Sequence, residues 1–259
     1  MNNETVLITG ASSGIGLEFA KIFASHSYNL VLVARKKEKL DKVASQLKDR
    51  TKINIIAADL SILKNCEHLY KTLKKKRISV DILINNAGIG MFGEFSKLSA
   101  KKEIQMLNID ITSLTYLTKL FLNDMIKRKK GKILNVASIA SFKPIPLMAS
   151  YSAAKAYVRF FSEALAKETS KNNVQVSVLC PGQTKTEFQK KAGMQQSRLY
   201  TMNVMKAEKV AKIGFNGLMK GKRVIVPGLR NKLYAALINL IPDSIALKLT
   251  KFAVAEKSS

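Results

Sequence analysis

The sequence predicts an α/β fold: a mostly parallel, doubly wound sheet of about seven strands with helices on both faces. Three observations carry this. Short apolar runs recur at 6–9, 28–34, 53–58, 80–84, 131–137, 174–179 and 224–226, separated by stretches of crossover-helix length. A glycine-rich turn sits between the first run and the first helical stretch. Small and polar residues gather at the C-terminal ends of the runs, where such sheets bind ligands.

The 259 residues suit one large domain, with a core at about 4–226 and a helical lid or tail at about 227–259. An apolar share of 47% is ordinary for a globular chain. No apolar run approaches the ~18 residues that span a bilayer. No basic segment followed by a long apolar one opens the chain, so no secretory signal is expected. Cys66 and Cys180 are two and far apart, as in a reduced cytoplasmic protein.

The formal charge is +26. Nucleic acid, an anionic membrane surface or acidic substrates would each suit it. The lysine runs, such as Lys36-Lys37 and Lys74-Lys75-Lys76-Arg77, fall at helix ends, where the dipole favours cations. No aromatics are interleaved with them as stacking platforms, so nucleic acid is not the expected partner.

After the first strand comes Gly10-Ala11-Ser12-Ser13-Gly14-Ile15-Gly16, and then an amphipathic helix over 17–25. The glycines let backbone approach a pyrophosphate, and the helix start offers free N–H groups and a positive dipole end. The second strand ends in Ala34, Arg35, Lys36 and Lys37 rather than in the acid that holds an NAD ribose. A 2′-phosphate would meet a guanidinium there, which favours NADP. Asp59 ends the third strand, followed by Leu60; it either caps the next helix or sits beside an adenine edge. The fourth strand ends in Asn85-Asn86-Ala87-Gly88, a tight turn close to a ligand.

One long helix is expected over 99–127, with Asn108 inside it as a poor helix-interior residue whose side chain or kink serves the site. Ser138 stands at the end of the fifth strand. A helix over 151–170 carries Tyr151 and Lys155 four residues apart, on one face. An ammonium beside a phenol favours the phenolate, so this pair suits general acid–base chemistry. The sixth strand ends in Cys180-Pro181-Gly182, with Thr184 and Thr186 beyond. His26, at a helix end, and His68, in mid-helix, read as structural, and Cys180 as a small buried side chain. No metal site is expected.

The motifs in order are Thr9-Gly10-x-x-x-Gly14-Ile15-Gly16, Asp59, Asn85-Asn86-Ala87-Gly88, Asn108, Ser138, Tyr151-x-x-x-Lys155 and Pro181-Gly182. They resemble the short-chain dehydrogenase/reductase family, of the compact NADP-preferring Rossmann type, over roughly residues 5–226. The resemblance implies Tyr151 as the general acid or base, and Lys155 as the residue that holds the nicotinamide ribose and lowers the Tyr151 pKa. It implies Ser138 as a hydrogen-bond donor to the substrate oxygen, and Asn108 as the holder of a relay water. Gly182 to Thr186 would border the nicotinamide. Arg35 matches the position that marks NADP users, whereas Ser13 is not the basic residue some of them carry in the glycine turn. An apolar carbonyl substrate and a homodimer or homotetramer are the corresponding expectations, closest to ketoacyl and hydroxysteroid reductases.

A loop over 183–203, with Gln189, Met194, Gln195, Gln196 and Tyr200, is expected at the substrate. The tail mixes Leu, Ile, Phe and Lys in helical patterns that would cover the cleft, pack on another subunit or lie on an anionic membrane. A non-catalytic dinucleotide scaffold is the competing function; it would show a damaged catalytic set.

Overall fold

The computed structural model describes residues 4–195, 197 and 204–254. Seven parallel strands form the sheet: β1 (Thr5–Thr9), β2 (Asn29–Ala34), β3 (Ile53–Ala57), β4 (Ile82–Asn85), β5 (Gly131–Val136), β6 (Val174–Leu179) and β9 (Val224–Ile225). Their order is β3-β2-β1-β4-β5-β6-β9. The order reverses beside β1, which opens a crevice at the C-terminal ends of β1 and β4.

Alternation along each strand fills two cores. Val6, Ile8, Leu30 and Leu32 face one side with Phe19 and Phe23 of α1 (Gly14–Ser25), α2 (Lys37–Leu47) and α8 (Ala207–Met219). Leu7, Val31 and Val33 face the other with α3 (Leu63–Lys75) and α5 (Leu114–Arg128). Both faces are covered, so the strands read as continuous apolar runs. Each fully buried Leu or Phe contributes about 1.5–3 kcal/mol. A chain of polar side chains crosses the sheet: Asn85 donates to Thr118 and Asn135 at 2.9 Å each, and Asn135 donates to Ser162 at 2.9 Å, while Asn85 Oδ1 itself accepts no bond.

The expected single helix over 99–127 is broken. α4 (Ala100–Leu107) runs into a π turn over Asn108–Ser113 before α5 begins. The wider turn rotates the residues that follow it around the axis, and such turns commonly mark sites. α6 (Ala149–Glu168) lies next to β6, and a small ribbon pairs β7 (Thr184–Lys185) with β8 (Met205–Lys206) around α7 (Phe188–Lys191). Four helix-to-strand turns contain a left-handed non-glycine residue: Ser27, Arg77, Lys129 and Asn173.

The tail forms α9 (Leu229–Leu237) and α10 (Asp243–Val254). α10 is anchored by Thr250, which donates to the Pro144 carbonyl at 3.3 Å, and by Ser197, which donates to the Val254 carbonyl at 3.0 Å. It therefore lies against the loop that leads into α6. No described helix is long and apolar enough to cross a membrane. Gln196 and Tyr200 of the expected substrate loop lie outside the described residues.

Candidate active site

The C-terminal ends of the strands bring the predicted residues to one edge. Gly10 has φ +67°, and a Cβ there would lie 2.8 Å from Asn86 Nδ2. Asn86 explains this closeness: its amide N–H meets Thr9 Oγ1 and its side chain meets the Thr9 carbonyl, each at 2.9 Å. The Ala87 N–H also donates to Thr9 Oγ1 at 2.9 Å. These bonds pin the ends of β1 and β4 together. Ser12, Ser13 and Ile15 are half-buried and Gly16 is buried in the turn and first helical residues. Helix α1 starts after Ser13 with no side-chain cap and no acid in its first turn. Its free N–H groups and dipole are open to an anion. Thr186 approaches the same turn, its methyl 3.0 Å from where a Gly14 Cβ would stand.

Arg35 is exposed after β2 and lines a hollow of about 220 Å³ with Ala58, Asp59, Asn65 and His68. Asp59 Oδ1 accepts from Ser61 N at 3.0 Å and Ser61 Oγ at 2.8 Å, so it shapes the turn before α3 while facing this hollow. Leu60 is a core side chain, and its carbonyl accepts from Ser113 Oγ. His68 lines the hollow as well, a placement its mid-helix position did not announce.

Tyr151 and Lys155 share a buried face of α6. Lys155 Nζ is 5.6 Å from the Tyr151 ring centroid. Ser138, at the end of β5, faces the phenol and also accepts from Ala140 N at 3.1 Å. The phenol packs against Phe188 and among Met106, Ala140, Met148 and Met194. Leu147, just before α6, is held at φ 62°, and its carbonyl accepts from Gly93 N at 2.9 Å. A bulky residue there is strained. Beyond β6, Pro181 is buried and Gly182 is half-buried; Thr184 is buried and donates to the Gly182 carbonyl at 2.9 Å. Thr186 Oγ1 accepts from Phe188 N at 3.2 Å, just before α7. A Cβ on Gly182 would meet the Asn231 side chain of α9.

One predicted residue is displaced. Asn108 opens the π turn half-buried, and its contribution is a backbone carbonyl that accepts from Ser113 Oγ at 2.9 Å. The residue that meets Lys155 is Asp110, two positions on. Its Oδ2 lies 2.9 Å from Lys155 Nζ, an ion pair lacking hydrogen-bond alignment, with side-chain exposures of 6% and 0%. Oδ1 accepts from Ile89 N at 3.0 Å. Lys155 also donates to the Val136 carbonyl at 3.3 Å. Gly88 fits over this pair: a Cβ there would stand 3.0 Å from Asp110 Oδ1 and 3.3 Å from Lys155 Nζ. The sequence signal for Asp110 was an acid between Ile109 and Ile111.

Burial raises the Tyr151 pKa; Lys155 lowers it, Asp110 raises it further and Ser138 lowers it. Burial opposes the Lys155 charge, but Asp110 and Tyr151 outweigh it, and its pKa stands above the ordinary value. Burial also raises the Asp110 carboxyl against the pull of Lys155. Cys180 is buried and pushed up to about 12, which makes it inert as a nucleophile. His26 caps the end of α1, with its Nδ1 2.9 Å from the Ile22 carbonyl. Among the described residues no His, Cys, Asp and Glu cluster could hold a metal.

The family model described as short chain dehydrogenase matches residues 4–197. The chain belongs to that family. A Dictyostelium discoideum protein named dehydrogenase/reductase SDR family protein 7-like is 32% identical, over 97% of this chain and 82% of its own length. The human very-long-chain 3-oxoacyl-CoA reductase is 35% identical over 69% of this chain, which spans 58% of that protein. Among solved structures, a short-chain dehydrogenase from Sphingobium yanoikuyae in complex with NADPH has a TM-score of 0.82 at 32% identity, covering 92% of this chain and 94% of its own. A bulky-bulky ketone specific alcohol dehydrogenase from Comamonas testosteroni has a TM-score of 0.79 at 32% identity, covering 93% and 94%. These likenesses establish a Rossmann-type fold and an oxidoreductase family resembling the ketoacyl and hydroxysteroid reductases.

Proposed function

We propose that the chain is an NADP-dependent carbonyl reductase or alcohol dehydrogenase acting on an apolar substrate. The observation that carries this is the convergence of Ser138, Tyr151 and Lys155 at the mouth of the crevice. The residues fit a dinucleotide. The turn from Gly10 to Gly16 and the start of α1 would hold the pyrophosphate. Arg35 and Asp59 would face the adenosine end, with Leu60 backbone beside it. Asn86, Ala87, Gly88, Lys155, Pro181, Gly182, Thr184 and Thr186 would border the nicotinamide end. When bound, the cofactor supplies the hydride.

The protein's own groups handle the proton. Tyr151 gives its phenolic proton to the carbonyl oxygen as charge develops there. Ser138 donates a hydrogen bond to that oxygen, and its help grows with the charge. Lys155 stabilises the phenolate left behind. The reverse sequence oxidises an alcohol.

NADP is favoured because the end of β2 carries Arg35 and no acid, and because a similar structure was solved with NADPH. The apolar substrate is favoured by Met106, Met148, Met194 and Phe188 around the phenol. A cytoplasmic homo-oligomer with one catalytic domain suits the same reading. A paired fluorescence titration with NADPH and NADH tests it. Tighter NADPH binding that Arg35→Ala weakens is expected, followed by turnover of apolar ketones that Tyr151→Phe abolishes. NADH preference would overturn the role of Arg35, and turnover by Tyr151→Phe would overturn the mechanism.

A second reading rests on the tail. Leu229, Leu233 and Leu237 recur every four residues along α9, all exposed, with Arg230 and Lys232 exposed beside them. That pattern suits an anionic membrane surface. Sedimentation with phosphatidylserine vesicles, lost on Leu233→Glu, is the expected result; no sedimentation at low salt removes this reading.

A further inference from the structure

The ion pair inside the site has a consequence for how the tyrosine works. Among the described residues Lys155 is the one cation that faces the phenol, and in the proposed function its charge makes the phenolate accessible. Asp110 sets a carboxylate 2.9 Å from that same ammonium, fully buried, where little solvent screens either charge. The groups acting on Tyr151 are Ser138 from the end of β5, Lys155 from its own helix and Asp110 from the π turn; the buried Glu103 of α4 lines the same small cavity as Tyr151, and Phe188 of α7 brings no charge. Lys155 in turn faces Asp110, Tyr151 and the inert Cys180. With Asp110 ionised the phenol sees a neutral pair. With a neutral side chain there it would see a bare cation.

We propose that Asp110 is a positioning residue: its carboxylate offsets the Lys155 charge at Tyr151 and keeps the phenolic proton in place through the neutral range, ready for a carbonyl oxygen. The geometry allows this because the π turn carries Asp110 inward and Gly88 leaves room above it. The Ile89 N–H fixes Oδ1, so the carboxylate cannot swing out to solvent without breaking that bond. Its other oxygen has only the ammonium as a partner. The inference rests on Tyr151 as the proton-transfer residue.

The test reads the phenol directly, in cofactor-free protein. Tyrosine labelled with carbon-13 at Cζ gives one resonance for each of the seven tyrosines, and Tyr151→Phe assigns the one needed. Losing the carboxylate leaves the Lys155 ammonium unopposed, 5.6 Å from the ring centroid, and an unopposed opposite charge at that range moves a neighbour by about one unit or more. Asp110→Asn should therefore lower the Tyr151 midpoint by at least about one pH unit, a tenfold gain in phenolate at a given pH. Asp110→Ser is a second neutral replacement should the amide variant fail to fold, and Asp110→Glu keeps the charge and should titrate near the parent. The inference is overturned if the neutral variants titrate with the parent, or if Asp110→Glu falls as far as they do. No substrate or cofactor enters this measurement. Failure of every ketone to turn over would sink the proposed activity and leave the titration result standing; an unmoved Tyr151 in an active enzyme would do the reverse.

Discussion

Replacing Lys155 with methionine would strand a buried acid. The parent pair is nearly sealed from water, with side-chain exposures of 6% for Lys155 and 0% for Asp110. Breaking such a pair from one side costs about 3–5 kcal/mol, because the remaining charge has lost its partner and cannot regain water. The variant has one escape, which is to protonate Asp110. Burial already raises the folded pKa of this carboxyl, while in the unfolded chain it is close to 4. The folded state thus holds the proton to higher pH than the unfolded state. Stability from that source is fully present below the unfolded pKa and is lost as pH rises through the folded one. Within that window each pH unit changes stability by up to about 1.4 kcal/mol. Urea unfolding of the cofactor-free protein at pH 5 and pH 7.5 checks the account. Lys155→Met should lose about 3–5 kcal/mol at pH 7.5 and visibly less at pH 5, and adding Asp110→Asn should recover most of the loss. A loss below about 1 kcal/mol, with the pH slope of the parent, would refute the buried-pair account.

Three further outcomes are expected. Gly88→Ala should abolish turnover while the protein stays folded, since the new methyl would stand 3.0 Å from Asp110 Oδ1; circular dichroism and an activity assay separate the two effects. Cys180 should resist alkylation by iodoacetamide at pH 8 in folded protein, because burial holds its thiol at about 12; rapid labelling would contradict its placement. Asn135→Leu should destabilise by about 1–3 kcal/mol in thermal or urea melts, because Asn85 and Ser162 each lose a buried partner.

The sheet was legible because both its faces are buried. Every strand then appears as an apolar run whatever its neighbours, and the helix-length spacings leave parallel pairing as the solution. The glycine turn, Ser138, Tyr151 and Lys155 were legible for a related reason: each sits at a fixed step from a strand end or on one helix face. Asn108 failed on register. A regular helix through 99–127 makes a buried amide the natural candidate, but a π turn rotates the chain and presents Asp110 instead. Only the partner, 45 residues on in sequence, reveals that. His68 and the anchoring of α10 on Pro144 were hidden likewise, because both depend on contacts between distant segments.

Four of the five left-handed non-glycine residues described lie on the far side from the chemistry, Leu147 beside Tyr151 being the exception. Ser27, Arg77, Lys129 and Asn173 each close a helix-to-strand turn, at the edge opposite the strand ends that carry the site. An L-residue in that conformation costs about 1–2 kcal/mol, most of which glycine would relieve. The molecule therefore has a working rim and a maintenance rim. Hardening the protein against heat, inserting a tag or grafting a linker all belong on the second, where four separate turns are open to redesign without a single atom of the first being asked to move.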